Sequence, residues 1–312
     1  MRLDQRGDSA HSIAMTGQDH DFSHLDRAGR AAASVSRNPR LTVNIVFGAG
    51  VLLAWLLLGA MAIRGAGSRG PGIDAPGDTM LRSLPQLPLP DLLERFFTLC
   101  LAPAPLDGGV GAQAGALIVM WFLMAVATML PSAAPMMRTY CEIADTARIK
   151  SEPVVHPLVL AAGYLSMWLA ASAVFAALTL LVHAFASSVQ MLDPVIGATG
   201  AAALLTAGLY QFSGLKEACL TKCKNPFSIV FSNWSARPAR IFKLGMEQGM
   251  WCLGCCWALM LVMFAVGVMN VFWMALIGLF TLIEKQTAGR LPTRIAGVIL
   301  LVWATALLVV SA

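Results

Sequence analysis

Met250–Ile283 reads MWCLGCCWALMLVMFAVGVMNVFWMALIGLFTLI, 34 residues without a Lys, Arg, His, Asp or Glu. As one α-helix the stretch would be about 51 Å long, well beyond the roughly 30 Å hydrocarbon core of a bilayer. Its middle, Gly267-Val-Met-Asn270, supplies a helix breaker and a turn former. The stretch therefore reads as two helices that meet there. That choice sets how many times the chain crosses a membrane, and every other feature can be tested against it.

Working outward, further uncharged runs cover Leu41–Ile63, about Gly111–Leu130, Pro157–Phe185, Pro194–Ser213 and Ile295–Val310. With the two helices above, that makes seven spans. Composition agrees. Charged residues are 12% of 312 and hydrophobic residues 57%, with mean hydropathy +0.70. A soluble domain needs more polar surface than this, and a chain disordered over most of its length would not be so apolar.

Positive charge tests the count. With the N-terminus inside, 16 Lys and Arg residues fall at the inner face, and four (Arg64, Arg69, Arg82 and Arg95) in one outer loop. Joining Met250–Ile283 into a single span would move Lys285, Arg290 and Arg294 outside, against the positive-inside rule. The expected fold is thus an all-α, polytopic integral membrane helical bundle of about seven transmembrane helices, N-terminus inside. Residues 1–40 read as a disordered cytoplasmic tail and 41–312 as the transmembrane domain. An outer loop spans 64–111 and an inner cysteine-bearing loop 214–249.

A polar-rich stretch of forty residues before the first apolar run argues against a cleavable signal peptide. Histidines 11, 20 and 24 in the tail read as solvated. The outer loop holds 15 Gly or Pro in 48 residues and reads as irregular, with an amphipathic turn at Asp91–Leu101 whose Phe96 and Phe97 rest on the membrane surface. The net charge of +5 is inner-face positive charge suited to anionic lipid, without the basic and aromatic stripe of a nucleic-acid binder.

Six of the seven cysteines fall near the inner face, where thiols stay reduced: Cys141, Cys219, Cys223, Cys252, Cys255 and Cys256. Cys219 and Cys223 are four apart, and Cys252, Cys255 and Cys256 stand at i, i+3 and i+4, so each set shares a helix face. C-x3-C and C-x2-C are spacings by which thiolates grip a metal. Met260 lies one turn beyond Cys256, and Met124, Met129 and Met136 line span two. Thiolate with thioether is the ligand set that selects Cu(I). The same residues also serve plain helix packing, since cysteine and methionine fill apolar interfaces well.

The remaining polar groups are sparse. His156 and His183 stand at opposite faces and cannot ligate one haem. Glu284 and Lys285 end span six, where anchoring at the headgroups is the default. Pro131 and Pro135 are expected to kink span two and free carbonyls there. No P-loop, HExxH, nucleophile elbow or dinucleotide fingerprint occurs, and an enzymatic role is not favoured.

The segments Met124–Met136 (MAVATMLPSAAPM), Gly208–Pro226 (GLYQFSGLKEACLTKCKNP) and Gly249–Met260 (GMWCLGCCWALM), with Gly267–Asn270 and Glu284-Lys285, resemble a bacterial family of predicted metal-binding integral membrane proteins. The resemblance runs from about Gly115 to Lys285. It departs at Gly214, where the family pattern has proline. It implies a helical membrane fold and a metal role, and with the spans above the expected location is a bacterial inner membrane.

These readings converge on soft-metal handling, with Cu(I) preferred and zinc as the alternative. Cys219, Cys223, Cys252 and Cys255 are the expected ligands. Cys256 and Met260 form a relay into the membrane, and Met124, Met129 and Met136 its other wall. Partners would be the lipid bilayer and a metallochaperone or metalloenzyme, with no nucleic acid. A structural subunit with a zinc or packing cysteine cluster, and a membrane thiol or copper oxidoreductase, remain as rival readings.

Overall fold

The computed structural model describes residues 39–311 apart from 69–77, 86–89, 102–108, 189–191 and 268–269. The expectations placed on the tail, including its three histidines, lie almost wholly outside the described residues. Among those described, the regular elements are all helices: α1 Pro39–Ser68, α2 Asp78–Arg82, α3 Asp91–Leu101, α4 Gly109–Ile149, α5 Pro157–Ser188, α6 Leu192–Gln211, α7 Gly214–Lys224, α8 Pro226–Ser232, α9 Pro238–Val266, α10 Val271–Gln286 and α11 Leu291–Ser311.

Five of them, α1, α4, α5, α9 and α11, are long and apolar enough to cross a membrane. Their outward faces are apolar, with Leu52, Leu56 and Val302 each 62% exposed. Lipid is the solvent such a surface suits. The other two expected spans are α6 and α10. With 16 residues, α10 reaches only about 24 Å, short of a bilayer core.

The break that decides the fold falls where the residues put it. Helix α9 ends at Val266, Gly267 follows with φ of 94°, and α10 resumes at Val271. The side chain of Asn270 caps the new helix by accepting from the Trp273 amide at 3.2 Å. Gly214, the departure from the family pattern, is simply the first residue of α7. Ser213 before it accepts from the Lys216 amide, so a capped start replaces the proline.

Helix α4 is longer than expected, running 41 residues past Pro131 and Pro135 without interruption. Pro131 cannot donate to the carbonyl of Ala127, and the Trp55 indole N–H of α1 takes that carbonyl at 3.1 Å. The freed carbonyl is met by another helix, and the helix continues to Ile149. The α3 expectation needs correction: the helix is at Asp91–Leu101, but Phe97 is 1% exposed and packed in the core instead of resting on a membrane surface. His156 caps the start of α5, its Nδ1 accepting from the Leu158 amide.

Helices α5 and α9 approach most closely. A Cβ at Gly163 would collide with the Phe242 carbonyl, and one at Gly245 with the Leu160 carbonyl. Glycine removes the side chains that would hold two backbones apart. This contact sets Tyr164 of α5 against Cys252 of α9.

Candidate metal centre

Every sulfur on the inner face of α9 is buried. Cys252, Cys255, Cys256 and Met263 are each 1% exposed, and Met260 is 5% exposed. The i, i+3, i+4 spacing turned these residues inward together. Opposite them, α4 presents Met124, Met129 and Met136, also buried. All seven cysteines are free thiols.

Two sulfur arrangements differ in kind. Deep in the core, the Cys256 sulfur lies 3.6 Å from the Met129 thioether sulfur. Nearer the ends of α7 and α10, Cys252 Sγ receives a hydrogen bond from the Lys285 ammonium at 3.0 Å and lies 3.0 Å from the Tyr164 hydroxyl. Lys285 also donates to Ser132 Oγ at 2.8 Å, and Tyr164 to the Met129 carbonyl at 3.1 Å. An ammonium at hydrogen-bond distance is a charge-assisted donor to that sulfur. Cys255 and Cys256 both donate to the Cys252 carbonyl at 3.0 Å.

A cavity of about 70 Å³ opens beside Cys252, and Met136, Tyr164, Cys223, Gln248 and Lys285 share its wall. Gln248, one turn before Cys252, is buried with its Nε2 unpartnered among the described residues. Cys223, on α7, neighbours both Cys252 and Cys255. Hydrogen bonds to those two sulfurs, and then burial, hold the Cys223 thiol well above the ordinary cysteine value.

The expected ligands are thus divided. Cys223, Cys252 and Met136 meet at one cavity, with Cys255 adjoining Cys223, while Cys256 and Met129 form a second contact. Cys219 packs elsewhere: its sulfur lies so close to Gly254 that a Cβ there would come within 2.6 Å. Burial also raises the Cys219 thiol. Met124 and Met260 are buried on the facing helices. Among the described residues, no group of three or more His, Cys, Asp or Glu side chains is placed to hold a metal ion. Thioether sulfur beside thiol is a donor set that suits a soft ion better than zinc.

The roles given to Glu284 and Lys285 as headgroup anchors are corrected by the packing. Lys285 turns to Cys252. Glu284 is 2% exposed and grips Lys216 with both carboxylate oxygens, at 2.9 and 3.0 Å, while Thr293 donates to it at 2.6 Å. Ser132, Tyr164 and Gln248 escaped the sequence reading. Gln248 had a signal, standing four residues before Cys252 on one helix face. Tyr164 had none, because it belongs to a helix without other sulfur-facing polar groups.

The fold and the buried sulfurs define an all-helical protein with thiols and thioethers gathered in its core. Residues 118–307 match the family described as PpoB2, copper chaperone, and the chain belongs to that family. The match runs from within α4 to within α11, and so reaches past Lys285, where the expected resemblance ended. It leaves out α1 to α3. No curated protein and no solved structure matches the chain.

Proposed function

We propose that this protein is a membrane-embedded Cu(I) chaperone that takes the ion at Cys223 and Cys252, with Met136 beside them, and hands it to a metalloenzyme or a second chaperone. The carrying observation is the cavity shared by two thiols, a thioether and the Lys285 ammonium. Charge favours a monovalent ion there. Two thiolates, one Cu(I) and one ammonium sum to zero, whereas a divalent ion leaves a net positive charge in a poorly solvated site, which is costly. The Cys256–Met129 contact extends the sulfur path into the bundle toward Met124 and Met260. In this reading α6 and the short α10, which a locally thinned bilayer accommodates, join the five longer helices to give seven spans, with the N-terminus and the thiols on the inner side of a bacterial inner membrane.

The test is metal analysis of the full chain, purified without oxygen and loaded with Cu(I). Wild type is expected to hold copper near one equivalent, and a Cys223→Ser/Cys252→Ser variant to lose it while keeping its helical spectrum. Equal copper in both proteins would sink the assignment. Zinc retained until the protein unfolds would favour the structural alternative.

A further inference from the structure

A second cavity, of about 110 Å³, lies where α6, α7 and α11 meet, walled by Gln211, Ser213, Lys216, Glu217, Arg290 and Arg294 among others. Gln211 is 4% exposed, and neither its Oε1 nor its Nε2 has a hydrogen-bond partner among the described residues. Leaving both halves of an amide buried and unpaired is unfavourable, so the side chain is shaped for something that supplies a donor and an acceptor. The surrounding charge says which acceptor. Three basic side chains line the wall against the one carboxylate of Glu217, which pairs with Arg290 at the rim. Lys216 is matched by Glu284 behind it. Arg294 has no ion-pair partner among the described residues. Helices α7 and α11 both begin here, at Gly214 and Leu291, adding the partial positive charge of two N-termini.

We propose that this cavity binds a phosphate group that also carries a hydroxyl donor. Gln211 Nε2 and Arg294 donate to phosphate oxygens, and Gln211 Oε1 accepts from the hydroxyl. Two sources offer that chemistry: the headgroup of phosphatidylglycerol and free inorganic phosphate. The site is separate from the thiols and does not depend on copper binding.

The experiment follows thermal stability of the delipidated full chain in uncharged detergent, titrated at fixed ionic strength with phosphatidylglycerol, phosphatidylcholine or inorganic phosphate. Phosphatidylglycerol is expected to raise the midpoint and phosphatidylcholine, which lacks the donor, to leave it nearly unchanged. Gln211→Leu is expected to raise the half-effect concentration at least about tenfold, the worth of one charge-assisted hydrogen bond. Without ligand that variant matches or exceeds wild type in stability, because an unpaired amide has gone, so lost binding is not misfolding. Arg294→Gln weakens binding likewise, and Arg138→Gln, the same charge change on α4, does not. Action by phosphatidylglycerol alone assigns the headgroup; action by inorganic phosphate, in competition with the lipid, assigns the free anion. No stabilisation by either, equal stabilisation by phosphatidylcholine, or equal weakening by Arg138→Gln overturns the proposal.

Discussion

At the last turn of α10, two neighbouring residues serve opposite kinds of buried polar contact. Glu284 is closed in: Lys216 meets both carboxylate oxygens and Thr293 completes the set. Lys285 is only half enclosed, its ammonium shared between Ser132 and Cys252 at the edge of a cavity. The first pair has every charge answered by protein and reads as a clamp between α7, α10 and α11. The second leaves sulfur accessible to a small ligand. Similar chemistry thus serves rigidity in one place and, in the proposed function, metal exchange in the other.

The comparison can be broken most forcefully at the clamp. Glu284→Gln leaves the Lys216 charge buried without its partner and is expected to cost about 3–5 kcal/mol of stability, read as a lowered unfolding midpoint. The double variant Lys216→Met/Glu284→Leu is expected to recover much of that loss, since no lone charge remains. A single variant as stable as wild type would show the pair to be solvated and the clamp mistaken.

At the exchange site the expected effects fall on copper before stability. Cys252→Ser removes a proposed ligand sulfur and is expected to weaken Cu(I) binding by more than about 100-fold in competition with a chelator, beyond the 10–100-fold typical of changes to residues that only support the ligands. Lys285→Gln keeps the sulfur but removes its counter-charge, and a loss of about tenfold is expected in the same assay. If Lys285→Gln outweighed Cys252→Ser, the ammonium would be structural and the contrast with Glu284 would collapse.

Two smaller effects bound the comparison. Trp55→Phe leaves the Ala127 carbonyl unmet and should cost about 1–2 kcal/mol in thermal unfolding, without altering copper affinity. Cys100, on α3, is buried with its thiol against the Ala116 carbonyl, and burial pushes its pKa up to about 12. It therefore stays protonated at pH 8, and brief alkylation of the native protein at that pH should leave it unlabelled by mass spectrometry. Labelling would appear only as pH rises toward that value or the fold opens.

Much of the bundle was legible along the chain. Gly267–Asn270 announced the break between α9 and α10, because a glycine and a capping asparagine interrupt an apolar run too long for one crossing. The i, i+3, i+4 cysteines shared a buried face, as helical periodicity demands. The family segments lay within the matched region. Less legible was which sulfurs would meet. Cys219 and Cys223 stand one turn apart on α7, yet Cys223 reaches Cys252 while Cys219 packs on Gly254. That outcome depends on how α7 leans across α9, which spacing within one helix does not encode.

The sequence by itself determined the apolar, helical character of the elements, five of them long and apolar enough to cross a membrane, and the inward face of α9. Those follow from composition and period, which are local properties of the chain. Tertiary structure alone decided that α4 runs through two prolines, that Lys285 turns to a thiol and that Glu284 leaves the headgroups for Lys216. Each depends on a partner distant in sequence: Trp55 for the Ala127 carbonyl, Cys252 for the ammonium, Lys216 for the carboxylate. A buried polar group must be answered somewhere, and only the packed bundle says by whom.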